Sequence, residues 1–387
     1  MSPKAKKEYT SLMAQRYRNA KKPQKSIILN EFCKVTGYHR KHAIRKLKRF
    51  KFFTRFQQSP GRPRIYNRFV LEVLRKIWLT ANLPCGKRLK PILDLWLPSY
   101  VKTFGYIDPL VVERLKTISS ATIDRIFKPV RPKFKKRGFS ATRSGTLLRK
   151  QIPIQTNQWD QTRPGFIESD TVHHCGQSLA GQYVLTVNFD DIASGWTEQR
   201  AVWTKAEGPI LGQIKDVEES LPFPILGFDS DNGGEFINKN LFNYFTKRRV
   251  PVQFTRSRAY HTQDNAHIEQ KNNTHVRLWL GYDRLTNPLI VPLLNDLYKN
   301  EWRLFHNFFC PSVKLIEKKR IDSKIIKRYD KPKTPYQRLL ESPYIKQETK
   351  LTLKEQFASL NPFELRSMIE NKLKKIFRLA KKPYKDG

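Results

Sequence analysis

The chain has 387 residues, 39% of them apolar, and carries 74 Lys and Arg against 34 Asp and Glu, a formal net charge of +40. That apolar share excludes a disordered chain, and the length predicts two to four domains. Four widely spaced cysteines (Cys33, Cys85, Cys175, Cys310), with no Cys-x-x-Cys pair, exclude a disulfide scaffold and a structural zinc ribbon.

Residues 1–57 predict a first helical unit. Ile27, Ile28, Leu29, Phe32 and Val35 give a helical apolar face, and Thr36-Gly37-Tyr38 reads as a turn. From His39 to Arg49 the pattern sends Ala43, Ile44 and Leu47 inward and Arg40, Lys41, Arg45, Lys46 and Lys48 outward. Helix, glycine turn and basic second helix is helix-turn-helix logic, in which the second helix enters the major groove of double-stranded DNA. An ordinary helical hairpin with a solvated basic face is the other reading. Residues 58–67 form a linker, Ser59-Pro-Gly-Arg-Pro-Arg-Ile65, whose Pro and Gly forbid a regular helix. Arg62 and Arg64 then project from an extended segment, suited to a narrow minor groove or simply to a linker.

Residues 68–137 predict a second helical, helix-turn-helix-like unit. Phe69, Val70, Val73, Leu74, Ile77 and Trp78 define one amphipathic helix, and Leu89, Ile92, Leu93 and Trp96 another. Ser119 and Ser120 suit a helix start, since a serine hydroxyl caps free amides, and the short helix to Phe127 exposes Thr122 and Arg125 as DNA contacts. Pro129 and Pro132 stop it within the basic tract Lys128 to Arg137, which would follow a phosphate backbone, and 138–157 is a further linker.

Residues 158–286 read as an α/β core. Gly165 to Cys175 is a strand with Phe166, Glu168, Asp170 and Val172 on one face. Tyr183 to Phe189 is a buried strand, Trp196 to Val202 another, and Pro224 to Phe228 a short buried one; helices fall at Glu207 to Ser220 and Leu241 to Arg248. Asp231 follows the fourth strand in Asp229-Ser-Asp-Asn-Gly-Gly-Glu235, and Glu269 opens a helical stretch that carries Lys271, Asn272, Asn273 and Arg277. Strand ends in open α/β sheets are where sites are built. Asp170, Asp231 and Glu269 together suit a pair of Mg²⁺ (or Mn²⁺) ions, because hard cations take oxygen ligands and two of them can clamp the attacking and leaving oxygens at phosphorus. Asp190 and Asp191 fall in a turn, where Asp is common for backbone reasons. Asp229 and Glu168 share faces with the chosen aspartates. In His173-His174-Cys175 strand alternation sends the two histidines to opposite faces, which argues against zinc.

These strings resemble DDE transposases and integrases of the retroviral-integrase superfamily, in the style of bacterial insertion-sequence transposases. Ser230-Asp-Asn-Gly-Gly-Glu-Phe236 is similar to that family's second-aspartate motif, and Asp264-Asn-Ala-His-Ile-Glu-Gln-Lys-Asn272 to its glutamate motif. Sixty residues separate Asp170 from Asp231 and 37 separate Asp231 from Glu269, the second gap a little longer than the family norm. The resemblance implies an RNase H-like catalytic core, preceded by all-α DNA-binding units and followed by a small basic region. It implies Asp170, Asp231 and Glu269 as the catalytic and metal-binding triad of a transposase that binds terminal repeats, cuts there and joins the ends to target DNA. It also implies that the helix face of Glu269, Asn273 and Arg277, with Lys271 beside it, approaches a DNA end. A nuclease of the same fold that cuts without joining, and a catalytically silent DNA-binding repressor, stay open.

Residues 287–387 form a basic C-terminal region: a helix from Leu293 to Phe309, two short strands around Asp322-Ser323, the string Thr334 to Leu340, which also resembles this transposase group, and a last helix from Pro362 to Leu379. DNA binding and subunit contacts fit this region equally. Net charge is +31 over residues 1–150, −4 over 151–283 and +13 over 284–387, so positive flanks bracket an acidic centre. Such flanks suit a polyanion held through counterion release. With no signal peptide and no apolar run of membrane-spanning length, the expectation is a cytoplasmic, nucleoid-associated protein acting on DNA as a homo-oligomer.

Overall fold

A Ser-Pro start, a Lys-Pro step and a Thr-Gly step punctuate the first fifty residues, and each marks a helix boundary in the computed structural model. It describes residues 1–50, 65–131, 162–203, 207–230, 236, 239–256, 271–321 and 324–381. The chain divides into two units, Met1–Ile65 and Tyr66–Gly387. In the first, Ser2 caps α1 (Pro3–Asn19) by accepting from the Ala5 amide at 3.2 Å. Gly37, at φ 72°, ends α2 (Lys22–Thr36) by donating to Cys33 C=O, which an L side chain would resist, and α3 (Arg40–Arg49) follows directly. Met13, Ala14, Tyr17, Ile28, Leu29, Phe32, Ala43 and Leu47 make its core. Ile27 and Val35, expected inward, lie 66% and 48% exposed, because the stripe facing α1 and α3 is narrower than the apolar run in the sequence.

The second unit begins with four helices, α4 (Arg68–Thr80), α5 (Gly86–Phe104), α6 (Pro109–Thr117) and α7 (Ser120–Phe127). Asn67 and Ser119 cap α4 and α7, and Trp78 stacks on Phe127 with ring centroids 4.1 Å apart. Gly86 is required where α5 crosses α7, because a Cβ there would lie 2.0 Å from Ser120 O. Phe69, expected inward, is 66% exposed.

The sheet order is β3-β2-β1-β4-β5, with β1 (Phe166–His173), β2 (Val184–Asp191) and β3 (Thr197–Trp203) antiparallel. β4 (Gly227–Ser230) and β5 (Gln253–Arg256) run parallel to β1. The crossovers carry α8 (Glu207–Ser220) and α9 (Lys239–Thr246), as the sequence spacing predicts. Asp190 and Asp191, expected in a turn, close β2 instead. Gly165, at φ +120°, is forced where β1 begins, since a Cβ would meet Pro224 O at 2.6 Å.

After the sheet, α10 opens as a π turn (Asn272–Arg277) that tightens to α at Leu278–Leu280. The next helix, α11, runs Ile290–Leu297, then a π turn Tyr298–Trp302, then Arg303–Phe309. It lies along the open edge of β3. Asn307 accepts from Thr197 N–H and donates to Thr197 C=O, both at 2.8 Å; Asn295 does the same for Ala201 at 2.7 and 2.9 Å. Two asparagine amides thus stand in for the missing neighbour strand. The hairpin β6 (Leu315–Ile321) and β7 (Lys324–Tyr329) and the helices α12 (Pro335–Glu341), α13 (Gln347–Ser359) and α14 (Pro362–Ala380) complete the unit.

Helices α4–α7 share the core of the sheet and the C-terminal helices, where the sequence led us to expect separate domains. Fully buried Trp96 of α5 meets Phe305, Phe309 and Phe363 edge-on, at centroid distances of 6.2, 6.0 and 5.4 Å, and its indole N–H donates to Phe309 C=O. Among the described residues no helix is long and apolar enough to cross a membrane.

Candidate active site

β-Register gathers polar side chains on one face of the sheet. Asp170 of β1 pairs with Asn188 of β2, which pairs with Gln199 of β3. The neighbouring row holds Thr197, Asp190, Glu168, Asp229 and Thr255. Asp170 is half-buried and its carboxylate is held on both oxygens: the Thr171 amide donates to Oδ1 at 2.7 Å and the Asn272 amide to Oδ2 at 2.6 Å. Asn272 begins the π turn, and such turns concentrate at functional sites because they re-aim one residue without ending the helix.

β1 and β4 run parallel with Ser169 opposite Ser230, the last residue of β4. Asp170 comes next in β1. Asp231 and Glu269 lie outside the described residues, as do Arg62 and Arg64 of the linker. Among the described residues no three His, Cys, Asp or Glu side chains group as a metal site. The donor that is described fits a hard cation, being a carboxylate oriented by amides.

The neighbouring acids are engaged. Thr255 donates to Asp229 at 2.6 Å. Buried Asp191 accepts from the Gly165 amide and from the Ser194 amide and hydroxyl; burial pushes its pKa up to about 6 against those bonds. His173 contacts Thr171 and Tyr183, and His174 contacts Thr186 across the sheet at 2.9 Å. Burial, then Arg277 and His173, lowers the His174 pKa to about 3.

Two expected DNA contacts face inward. Lys271 is 8% exposed and its ammonium is shared between Gly195 C=O at 2.9 Å and Asp190 at 3.2 Å. Arg277 donates to His173 C=O at 2.8 Å and lies over the Tyr282 ring. The α-helical spacing that put Asn273 and Arg277 on one face does not apply inside a π turn; Asn273 is exposed and Arg277 is not. Arg125 is exposed on α7, its guanidinium 3.0 Å from Thr122. On α3, Lys41 and Arg45 are exposed, while Arg40 reaches back to Ser26 and Asn30 of α2. Arg131, expected to follow a phosphate backbone, folds onto Leu83 and Pro84 carbonyls at 2.9 and 3.0 Å. Asn188 and Gln199 escaped the sequence reading. Asn188 had a signal, a polar side chain in the largely apolar run Val184 to Phe189 that must find a partner when both faces are covered, whereas Gln199, among Thr197, Glu198 and Arg200, had none.

No family model matches the chain. It is 36% identical over 339 residues to the uncharacterized protein y4rM of Sinorhizobium fredii, spanning 86% of this chain and 94% of that protein. The chain belongs to the family of y4rM. Similar solved structures include the integrase catalytic core domain of HTLV-2 in complex with magnesium, 15% identical with a TM-score of 0.28 over 38% of this chain and 90% of that one. The BIV integrase catalytic core matches at 16% identity and TM-score 0.28, over 46% and 95%. The simian T-cell lymphotropic virus intasome with PP2A regulatory subunit B56 gamma matches at 13% and 0.32, over 62% and 73%.

Proposed function

We propose that the chain is a DNA transposase that binds the terminal repeats of its element, cuts there and transfers the ends to target DNA. The observation that carries this reading is the parallel register of β1 and β4, in which Ser169 faces Ser230 and the next residue of each segment is an aspartate, Asp170 and Asp231. Glu269 is three residues before Asn272, whose amide touches Asp170. Asp170, Asp231 and Glu269 would hold two Mg²⁺ or Mn²⁺ ions, which when bound supply charge to the attacking and leaving oxygens at phosphorus. The chain's own contribution is to orient those carboxylates and to hold the polyanion. Lys41 and Arg45 of α3, Arg62 and Arg64 of the linker, and Arg125 of α7 would bind phosphates or groove edges, and Asn273 would meet the DNA end. Handling two ends at once calls for more than one copy of the chain.

The test uses a labelled duplex carrying the repeats that flank the gene, a supercoiled target, and Mg²⁺ or Mn²⁺. Labelled ends joined to the target are expected, and Asp231→Asn is expected to abolish cutting and joining while the duplex is still bound. Equal loss of binding overturns the assignment of Asp231. Metal-dependent cutting without joining points to a nuclease, and binding with neither product to a repressor.

A further inference from the structure

Three amides run in series beneath Asp170. Gln199 donates through Nε2 to Asn188 Oδ1 at 2.6 Å, Asn188 through Nδ2 to Asn272 Oδ1 at 2.9 Å, and Asn272 through Nδ2 to Asp170 Oδ2 at 2.6 Å. Thr197 Oγ1 accepts from Gln199 at 2.6 Å and lies 3.3 Å from Asn188 Oδ1. Asn188 and Asn272 therefore each have one orientation that satisfies both neighbours, and the sequence of donors ends on a carboxylate. Asn188 and Gln199 are fully buried, on a sheet face that also carries Thr186, Asp190 and Thr197. An unpartnered buried amide costs about 1–3 kcal/mol, so apolar side chains would serve the fold at less risk. The amides have a use beyond packing only if the carboxylate at the end of the series must be aimed.

We propose that Asn188 and Gln199 are positioning residues that act through Asn272 to fix the carboxylate plane of Asp170 toward a divalent cation. The inference rests on the transposase reading only in taking Asp170 as a metal ligand. Without the Asn188 donor, the Asn272 amide loses the bond that fixes its plane, and the carboxylate loses its aim. Partners that orient a metal ligand typically matter about 10–100-fold in metal affinity.

The experiment is Mn²⁺ binding to the full chain by calorimetry, for the wild type, Asp170→Asn, Asn188→Leu and Asn307→Leu. Asn307→Leu removes an equally buried amide, on α11, that bonds the Thr197 backbone and none of the three amides of the series, so it reports a merely structural effect. The expected result is an Mn²⁺ dissociation constant raised about 10-fold in Asn188→Leu and within about twofold of wild type in Asn307→Leu. If Asn188→Leu does not fold, Gln199→Met, one link further out, is expected to raise it about threefold. Wild-type affinity in whichever of these two variants folds overturns the inference alone, as does an equal loss in Asn307→Leu. Mn²⁺ binding that ignores Asp170→Asn overturns both the inference and the assignment of the metal site.

Discussion

Replacing Asn307 by leucine is expected to destabilise the whole second unit, because this side chain closes the β3 edge. Asn307 is fully buried, and both of its amide atoms bond the backbone of Thr197 at 2.8 Å. Leucine is close in size, so little cavity opens; the loss is the partnership of one backbone N–H and one C=O away from water. Each orphan costs about 1–3 kcal/mol, which puts the total at about 2–6 kcal/mol. Against a typical stability of about 5–15 kcal/mol, that is a large shift in midpoint. Urea unfolding followed by far-UV circular dichroism and tryptophan fluorescence reads it directly, with an unchanged m value showing that the unfolded state is the same. Asn295→Leu acts on Ala201, roughly 18 Å along the helix at its usual rise per residue, and its cost should add. A loss below about 1 kcal/mol for Asn307→Leu would refute the reasoning, since Thr197 would then have other partners than the amide.

Trp96→Ala should cost about 3–5 kcal/mol and shift all probes together, because the indole is shared by α5, α11 and α14; a separate early transition of α4–α7 would count against the common core. His174 and His306 are buried, and burial holds both pKa values down to about 3 from the usual 6.5. The unfolded chain therefore binds these protons first as pH falls, so stability is full above pH 6.5 and declines below it. At pH 5 the loss is about 2 kcal/mol for each. Thermal midpoints measured from pH 7 to pH 5 should fall more steeply in the wild type than in His174→Gln, and parallel profiles would contradict the buried neutral state.

Much of the sheet could be read from the chain: three strands in succession, a helix at Glu207–Ser220 and a last helix from Pro362 follow from period and punctuation alone. What could not be read is what each apolar face covers. Periodicity shows that one side of α5 is buried but not that Phe305, Phe309 and Phe363, more than two hundred residues later, are what buries it. Asp170 was singled out partly by resemblance, since Glu168 stands on the same strand face. Asn188 and Gln199 were not, since cross-strand register is set by hairpin geometry that the sequence does not state. Lys271 and Arg277 misled for a different reason: a cation looks surface-bound until a carbonyl and a carboxylate are found waiting for it.

The π turn of α10 fixes chain length where it leaves composition free. Deleting one residue within 273–275 would restore an ordinary α turn and shift Asn272 against the residues that follow it, off Asp170. Val276, Trp279 and Leu280 would stay seated in the core, so the altered chain would still fold. Substitutions that keep the length of the turn would leave Asn272 on Asp170, whereas a one-codon deletion there would part the two and leave a stable chain behind.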